Sequence, residues 1–160
     1  MKKILTLCMV VKEGEVLLGM KKRGFGVGKW NGFGGKIEEN ETIEEGAVRE
    51  LKEEIGINAV EMKKVGILGF SVLDDPVRLE VHVFKVSKFT GEPTESEEMK
   101  PQWFAQEAIP FSEMWPDDKY WLPIVLNEKL FTGNFLFDKP RNSKYSDKII
   151  KHELTEVDYI

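Results

Sequence analysis

Cysteine and histidine are scarce in this sequence: one cysteine, Cys8, and two histidines, His82 and His152, in 160 residues. An internal disulfide is therefore excluded, and no Cys/His cluster has zinc-ligand spacing. A reducing, cytoplasmic setting suits such a chain best. Net positive charge is missing too. The formal charge of −5 argues against wrapping a long nucleic acid electrostatically, though a small anionic ligand stays open if a metal supplies the positive charge. Apolar runs fall short of the roughly 20 residues a membrane span needs, so a soluble protein with no membrane partner is expected. The one run that needs checking follows Met1-Lys2-Lys3, where Ile4–Val11 resembles the core of a short signal peptide. No small-residue cleavage site follows it, and Leu7 before Cys8 is not the small residue of a lipoprotein signal. The run leads directly into Lys12-Glu13-Gly14-Glu15, which predicts a buried first strand with a turn at Gly14.

What is present suffices for one globular domain. Hydrophobic residues make up 41% of the chain, enough to build a core at this length, and no repeat or linker separates two cores. Ile4–Val11 and Glu15–Met20 read as consecutive strands. The segment Arg23–Gly35 holds six glycines and predicts a loop with close backbone approaches. From Thr42 to Ile55 the pattern becomes helical, with Ile43, Ala47, Leu51 and Ile55 on one face. Thr42 and Glu45 match a capping box, and Gly56 supplies a stop. Further strands are expected at Lys64–Leu73, Leu79–Val86 and Pro101–Ala105. A helical stretch is expected at Asp118–Leu130, and strands at Leu130–Phe137 and Glu153–Ile160. The charged segment 138–151 reads as a surface loop. Strands on both sides of one strong helix predict a single α+β domain of α/β/α layering, with a mixed sheet at its core.

The chemistry is concentrated between Gly35 and Ile57. Gly35 is followed six residues later by Glu41, then eight later by Arg49-Glu50-Leu51, then by Glu53-Glu54, Gly56 and Ile57. At about 100° per residue, Glu50, Glu53 and Glu54 share roughly one third of the helix circumference. Three carboxylates so close repel one another and carry raised pKa values unless something cationic lies among them. Hard divalent cations with oxygen ligands answer this need, and Mg²⁺ commonly bridges carboxylates to substrate phosphates. A solvated acidic face is the plain alternative. It explains neither the glycine-rich approach to the helix nor Arg49 among the acids. A phosphate-binding P-loop at Gly34-Gly35-Lys36 fails, because Trp30 stands where its first glycine belongs and Ile37 replaces the Ser/Thr. Gly24, Gly26 and Gly28 also miss the dinucleotide fingerprint, whose last glycine comes three residues after the second.

The spacing G-x5-E-x7-R-E-U-x-E-E-x-G-U, with U a bulky aliphatic residue, is filled at all nine specified positions by residues 35–57. It is the Nudix pattern, and the sequence resembles the Nudix hydrolases. Longer strings, Val16–Lys36, Val81–Phe84, Glu98–Phe104 and Ile109–Trp121, are similar to the mammalian-type oxidized-purine nucleoside triphosphatases within that superfamily. That resemblance runs to about Phe137. It implies hydrolysis of 8-oxo-dGTP and 2-hydroxy-dATP to the monophosphate and pyrophosphate, with Mg²⁺ as cofactor and Mn²⁺ as a substitute. It implies that the Gly35 carbonyl, Glu50, Glu53, Glu54 and Glu98 surround the metal. Arg49 would orient the glutamates, Glu53 or Glu98 would help activate water, and Glu41 would support them electrostatically.

The same resemblance implies a base pocket of Thr6, Lys21, Phe25, Asn31, Phe70, Met99, Trp115, Asp117 and Asp118. These residue types suit the task. An indole stacks on a purine, and an amide offers donor and acceptor to base edges. Adjacent Asp117 and Asp118, if buried together, would keep a proton near neutrality and let one pocket read two oxidised purines. Without the resemblance, Trp115–Asp118 reads as a helix start with Trp115 in the core, Phe25 and Phe70 read as core residues, and His82 as structural. His152 has no recognisable partner. Leu79 departs from the pattern, standing where the family has methionine, and 138–150 is longer than its counterpart and shows little similarity. Two other functions remain open: a Nudix hydrolase of another nucleotide (a methylated purine triphosphate, an ADP-sugar, a dinucleotide or an RNA cap), or a non-catalytic binding module. A monomer acting on a small nucleotide is expected.

Overall fold

In the computed structural model, which describes residues 1–141 and 145–160, alternation along the first apolar run sets the layering. Strand β1 (Lys2–Lys12) sends Cys8 and Val10 to one face and Met9 and Val11 to the other, and all four are buried. Strand β2 (Glu15–Lys21) divides likewise, with Leu17 on one side and Val16 and Leu18 on the other. Strands buried on both faces need cover on both sides of their sheet.

Two helices supply much of that cover. Helix α1 (Ile43–Ile55) presses Ala47, Leu51 and Ile55 onto Cys8, Val10, Leu17 and Phe33. Its start carries the full capping box: Thr42 Oγ1 accepts from the Glu45 amide at 3.1 Å, and the Glu45 side chain accepts from the Thr42 amide at 2.9 Å. It ends at Gly56, whose N–H bonds the Lys52 carbonyl. On the opposite face, helix α2 (Asp118–Leu126) packs Trp121, Leu122 and Val125 against Met9, Leu18 and Phe131.

The remaining strands are β3 (Trp30–Asn31), β4 (Asn58–Val72), β5 (Arg78–Thr90), β6 (Met99–Ala105), β7 (Leu130–Phe137) and β8 (Ile149–Val157). The sheet order is β3-β2-β1-β5-β4-β7-β8, with β6 added along β2. The β1–β5 and β4–β7 pairs are parallel and the others antiparallel, so the sheet is mixed as expected. β1 and β2 pair only over Val10–Lys12 and Glu15–Leu17. Beyond that point they diverge. The glycine-rich segment runs along the vacated edge of β1, bridging Cys8 to Phe33 and Leu5 to Lys36.

Several boundaries differ from the sequence expectation. β4 begins at Asn58, not Lys64, because register shifts near Glu61 and Lys64 break the alternation that would have marked it. α2 stops at Leu126, not Leu130, with Glu128 in the left-handed region at φ 59°. β8 starts at Ile149, so the expected surface loop 138–151 gives up its last residues to a strand; residues 142–144 of that loop lie outside the described residues. Among the described residues no helix is long and apolar enough to cross a membrane.

Candidate active site

The glycine-rich segment meets α1 at Gly34-Gly35, where no side chain fits. A Cβ on Gly34 would lie 1.8 Å from the Thr6 carbonyl oxygen, and one on Gly35 would lie 2.9 Å from the Glu50 carboxyl carbon. Backbone and helix face are therefore in direct contact. The Gly34 amide donates to Glu54 Oε1 at 3.3 Å. The Gly35 carbonyl accepts from the Thr6 amide at 2.9 Å and from the Thr6 hydroxyl at 3.4 Å, so a metal there would compete with the longer, hydroxyl bond.

Arg49 organises the acids. It donates to both oxygens of Glu41, to Glu50 Oε1 at 3.0 Å, to Glu53 Oε2 at 3.2 Å and to the Lys36 carbonyl at 3.1 Å. Those bonds hold the Glu41 carboxyl below its ordinary range. Glu98 arrives from the turn before β6, where the Ser96 hydroxyl accepts from the Glu98 and Met99 amides. Lys21 lies 3.5 Å from Glu98 and Arg23 lies 3.9 Å from it. Glu50, Glu53, Glu54 and Glu98 all line one cleft of about 250 Å³.

Glu54 is the unusual member of this set. It is 3% exposed, and its Oε2 has no hydrogen-bond partner. Burial, and then the nearby Glu50 charge, push its pKa up to about 8. Burial likewise raises Glu50. A buried carboxylate with an unused oxygen, facing a cleft lined by three more, has the donor chemistry of a hard divalent cation. Among the described residues no three acidic, histidine or cysteine side chains converge on one point, and Arg49, Lys21 and Arg23 pair with Glu50, Glu53 and Glu98. The donor set fits a divalent metal by chemistry.

A second cavity, about 570 Å³, opens on the other side of Glu54. Thr6, Lys21, Asn31, Phe70 and Met99 line it, as do Phe25, Trp115, Asp117 and Asp118. All nine residues expected at a base pocket thus face one space, together with Gly35 and Glu54. That volume is in the range of small-molecule sites. Phe25 is no core residue: it is 67% exposed and stacks on Trp115, with ring centroids 5.1 Å apart at 17°. Trp115 is not in the core either; it lines the cavity, and Lys29 Nζ lies 5.2 Å from its ring centroid. Phe70 also leans on Phe135, so lining the pocket and packing the core coincide there. Asn31 Oδ1 accepts from the Gly32 amide at 2.9 Å, which fixes how its amide is presented.

Asp117 and Asp118 are both buried. Asp117 Oδ2 accepts from Trp121 Nε1 at 2.8 Å. Asp118 Oδ2 has no partner. Burial raises both carboxyls, and the Asp117 charge raises Asp118 further, to well above its ordinary range. Asp117 caps α2 by position but makes no side-chain capping bond, so its carboxylate serves the cavity and Trp121.

Sequence reasoning missed Trp121 as a partner of Asp117, and it missed Tyr145, Pro140 and Ser146 as lining residues. The four-residue separation of Asp117 and Trp121 was a usable signal. Nothing in the charged, irregular stretch around Tyr145 offered one. His82 is buried and structural, with Nε2 at 2.8 Å from Glu80. His152, without a partner in the sequence, stacks on Phe135 at 5.3 Å and lies tilted against Tyr120 at 4.5 Å. Cys8 is buried, and burial pushes its thiol up to about 12, which removes it as a nucleophile.

Layered fold, capped glutamate helix and glycine contact together define a carboxylate-rich hydrolase of the type read from residues 35–57. A profile of the NUDIX domain matches residues 2–124, and the chain belongs to the Nudix hydrolase family. It is 49% identical over 156 residues to an oxidized purine nucleoside triphosphate hydrolase of Mus musculus, covering 98% of this chain and 96% of that one. The identity and coverage are the same for the protein of that name from Danio rerio. Among solved structures, a MutT protein from Bacillus halodurans superposes with a TM-score of 0.83 at 28% identity, over 95% of this chain and 97% of that one.

Proposed function

We propose that this protein hydrolyses oxidised purine nucleoside triphosphates, 8-oxo-dGTP and 2-hydroxy-dATP, to the nucleoside monophosphate and pyrophosphate, and so cleans the nucleotide pool. One observation carries the reading: the base-sized cavity and the acidic cleft share Glu54. A nucleotide with its base between Trp115 and the two aspartates would then extend its phosphates toward Glu50, Glu53 and Glu98. The names of the mouse and zebrafish relatives support the substrate class.

Glu50, Glu53, Glu54, Glu98 and the Gly35 carbonyl would hold Mg²⁺, with Mn²⁺ able to replace it. When bound, such an ion polarises a phosphoryl oxygen and lowers the pKa of water. The chain's own residues do the rest. Arg49 fixes the Glu50 and Glu53 rotamers, Lys21 reaches from the base cavity toward Glu98, and Glu53 or Glu98 accepts the proton of the attacking water. Asp118 donates from its protonated carboxyl while Asp117, bonded to Trp121, accepts. All these groups come from one chain, which suits a monomer, and the lone buried thiol of Cys8 suits a cytoplasmic setting.

The test is kcat/KM with Mg²⁺ for 8-oxo-dGTP, 2-hydroxy-dATP, dGTP and dATP, following pyrophosphate release. A preference of about a hundredfold or more for an oxidised base is expected, the scale that two or three buried hydrogen bonds supply. Equal rates on all four would reject the substrate class and redirect the search to dinucleotides, capped RNA ends and methylated purines. Turnover that survives Glu53→Gln unchanged would reject the chemistry.

A further inference from the structure

The stretch between β7 and β8 departs from the resemblance and carries no assigned role, yet its described residues return to the base cavity. Pro140, Tyr145 and Ser146 line that cavity beside Trp115. Tyr145 makes the closest contacts. Its ring meets Phe25 edge-on at 4.4 Å and 82°, and meets Trp115 at 5.4 Å and 74°. Its hydroxyl donates to the Gly24 carbonyl at 3.2 Å, tying it to the glycine-rich segment that carries Phe25. Lys29 and Asp147 approach to 3.9 Å and add a second, weaker link between the same two segments.

The stacked pair itself shows which surface a base can use. A base inserted between two rings needs centroids about 7 Å apart, twice the usual contact distance. Phe25 and Trp115 stand at 5.1 Å. No base enters between them, so the pair forms a wall of the cavity and not a clamp. Phe25 is mostly exposed and would not hold that position unaided. Tyr145 is half-buried and touches both rings.

We propose that Tyr145 is a specificity-determining residue of the base pocket: it braces the Phe25–Trp115 wall and closes the aromatic end of the cavity around a two-ring base. This inference rests on the functional reading above. A purine covers more of a three-ring enclosure than a pyrimidine does, so losing one ring costs the purine more. Phosphate chemistry lies on the far side of Glu54 and does not involve Tyr145.

The experiment compares Tyr145→Ala and Tyr145→Phe with the wild type. Steady-state kinetics would use 8-oxo-dGTP and dCTP, and metal-free calorimetry would measure binding of 8-oxo-dGMP. For Tyr145→Ala, KM for 8-oxo-dGTP is expected to rise about tenfold with kcat within about twofold, and 8-oxo-dGMP binding to weaken by about the same factor, the scale of one lost aromatic contact. The purine-over-pyrimidine ratio falls with it. Tyr145→Phe keeps the ring and recovers most of the affinity. Thermal melts of both variants separate this from a folding defect, which would lower kcat and KM performance on both nucleotides alike. Unchanged KM, unchanged 8-oxo-dGMP affinity, or equal losses on both nucleotides would overturn the proposal. The functional reading fails separately, on wild-type selectivity, while the mutant-to-wild-type binding ratio tests Tyr145 whichever purine is preferred.

Discussion

Arg49 grips Glu41 through two parallel hydrogen bonds, Nε to Oε2 at 2.7 Å and Nη2 to Oε1 at 3.0 Å. Glu41 is itself held by the Glu38 amide at 2.8 Å, so the guanidinium is anchored before it touches the helix. Its free Nη1 then fixes Glu50 and Glu53 at once. A planar fork is required for this, and a lysine ammonium cannot supply it.

Arg49→Lys is therefore expected to keep the fold and lower kcat on the order of 10²-fold, the cost of reactive groups misplaced by about an ångström. Steady-state kinetics at saturating Mg²⁺, with circular dichroism as the control for folding, would measure it. A lysine variant with wild-type kcat would mean that charge alone suffices and that the fork geometry is incidental.

Glu54 predicts a stability signature. Its carboxyl ionises near 4.5 when unfolded and at about 8 when folded without metal. The folded state therefore binds more protons across that window, and metal-free stability falls as pH rises from 4.5 toward 8. Glu54→Gln removes the titration, so its melting temperature should vary less over the same range and exceed the wild type's at pH 8. Excess Mg²⁺ should restore wild-type stability at pH 8 and raise the variant's less, since only one of its ligands is lost. Parallel melting curves with and without Mg²⁺ decide this; superimposable wild-type and variant profiles would show that Glu54 is not the strained group.

How much of this could be read from the sequence depends on whether a feature is local. Thr42, Glu45, Glu50, Glu53 and Glu54 lie on one helix, whose 3.6-residue period fixes their relative placement, and the capping box was found where expected. The layering was legible from strands on both sides of one strong helix, and the structure buries Cys8–Val11 on both faces. The divergence of β1 from β2, which opens the base cavity, depends on a non-local edge filled by Phe33–Lys36 and leaves no periodic trace. Tyr145 illustrates the limit most sharply. It meets Gly24, 121 residues away in the chain, from within a charged segment that reads as solvated loop.

The neighbouring aspartates make base preference depend on pH. Burial and the Asp117 charge raise the Asp118 carboxyl well above its ordinary range, toward the protonated form. An oxidised purine that accepts from Asp118 should lose ground as pH rises and that proton leaves. The ratio of kcat/KM values for 8-oxo-dGTP and 2-hydroxy-dATP should therefore change with pH in the wild type. In Asp118→Asn, whose amide is a permanent donor, it should be flat. A wild-type ratio independent of pH from 5 to 9 would remove the exchange of protonation states as the basis for reading two bases.

Trp121 gives the most discriminating test, because it does not itself line the cavity and reaches it through its bond to Asp117. Its indole Nε1 donates to Asp117 Oδ2 at 2.8 Å and favours the ionised carboxylate. Trp121→Phe keeps most of the packing against Phe131 but leaves that carboxylate oxygen without its donor. Stability should fall by about 1–3 kcal/mol, the cost of an unsatisfied buried acceptor plus a small cavity. A change in core packing alone would stop there. If Trp121 positions and polarises Asp117, its loss raises the Asp117 pKa, weakens the charge that raises Asp118, and shifts the pH at which base preference changes. Chemical denaturation measures the first effect and the pH profile of the substrate ratio measures the second. Destabilisation with an unshifted profile would reduce Trp121 to a core residue and make Asp117 insensitive to that indole donor.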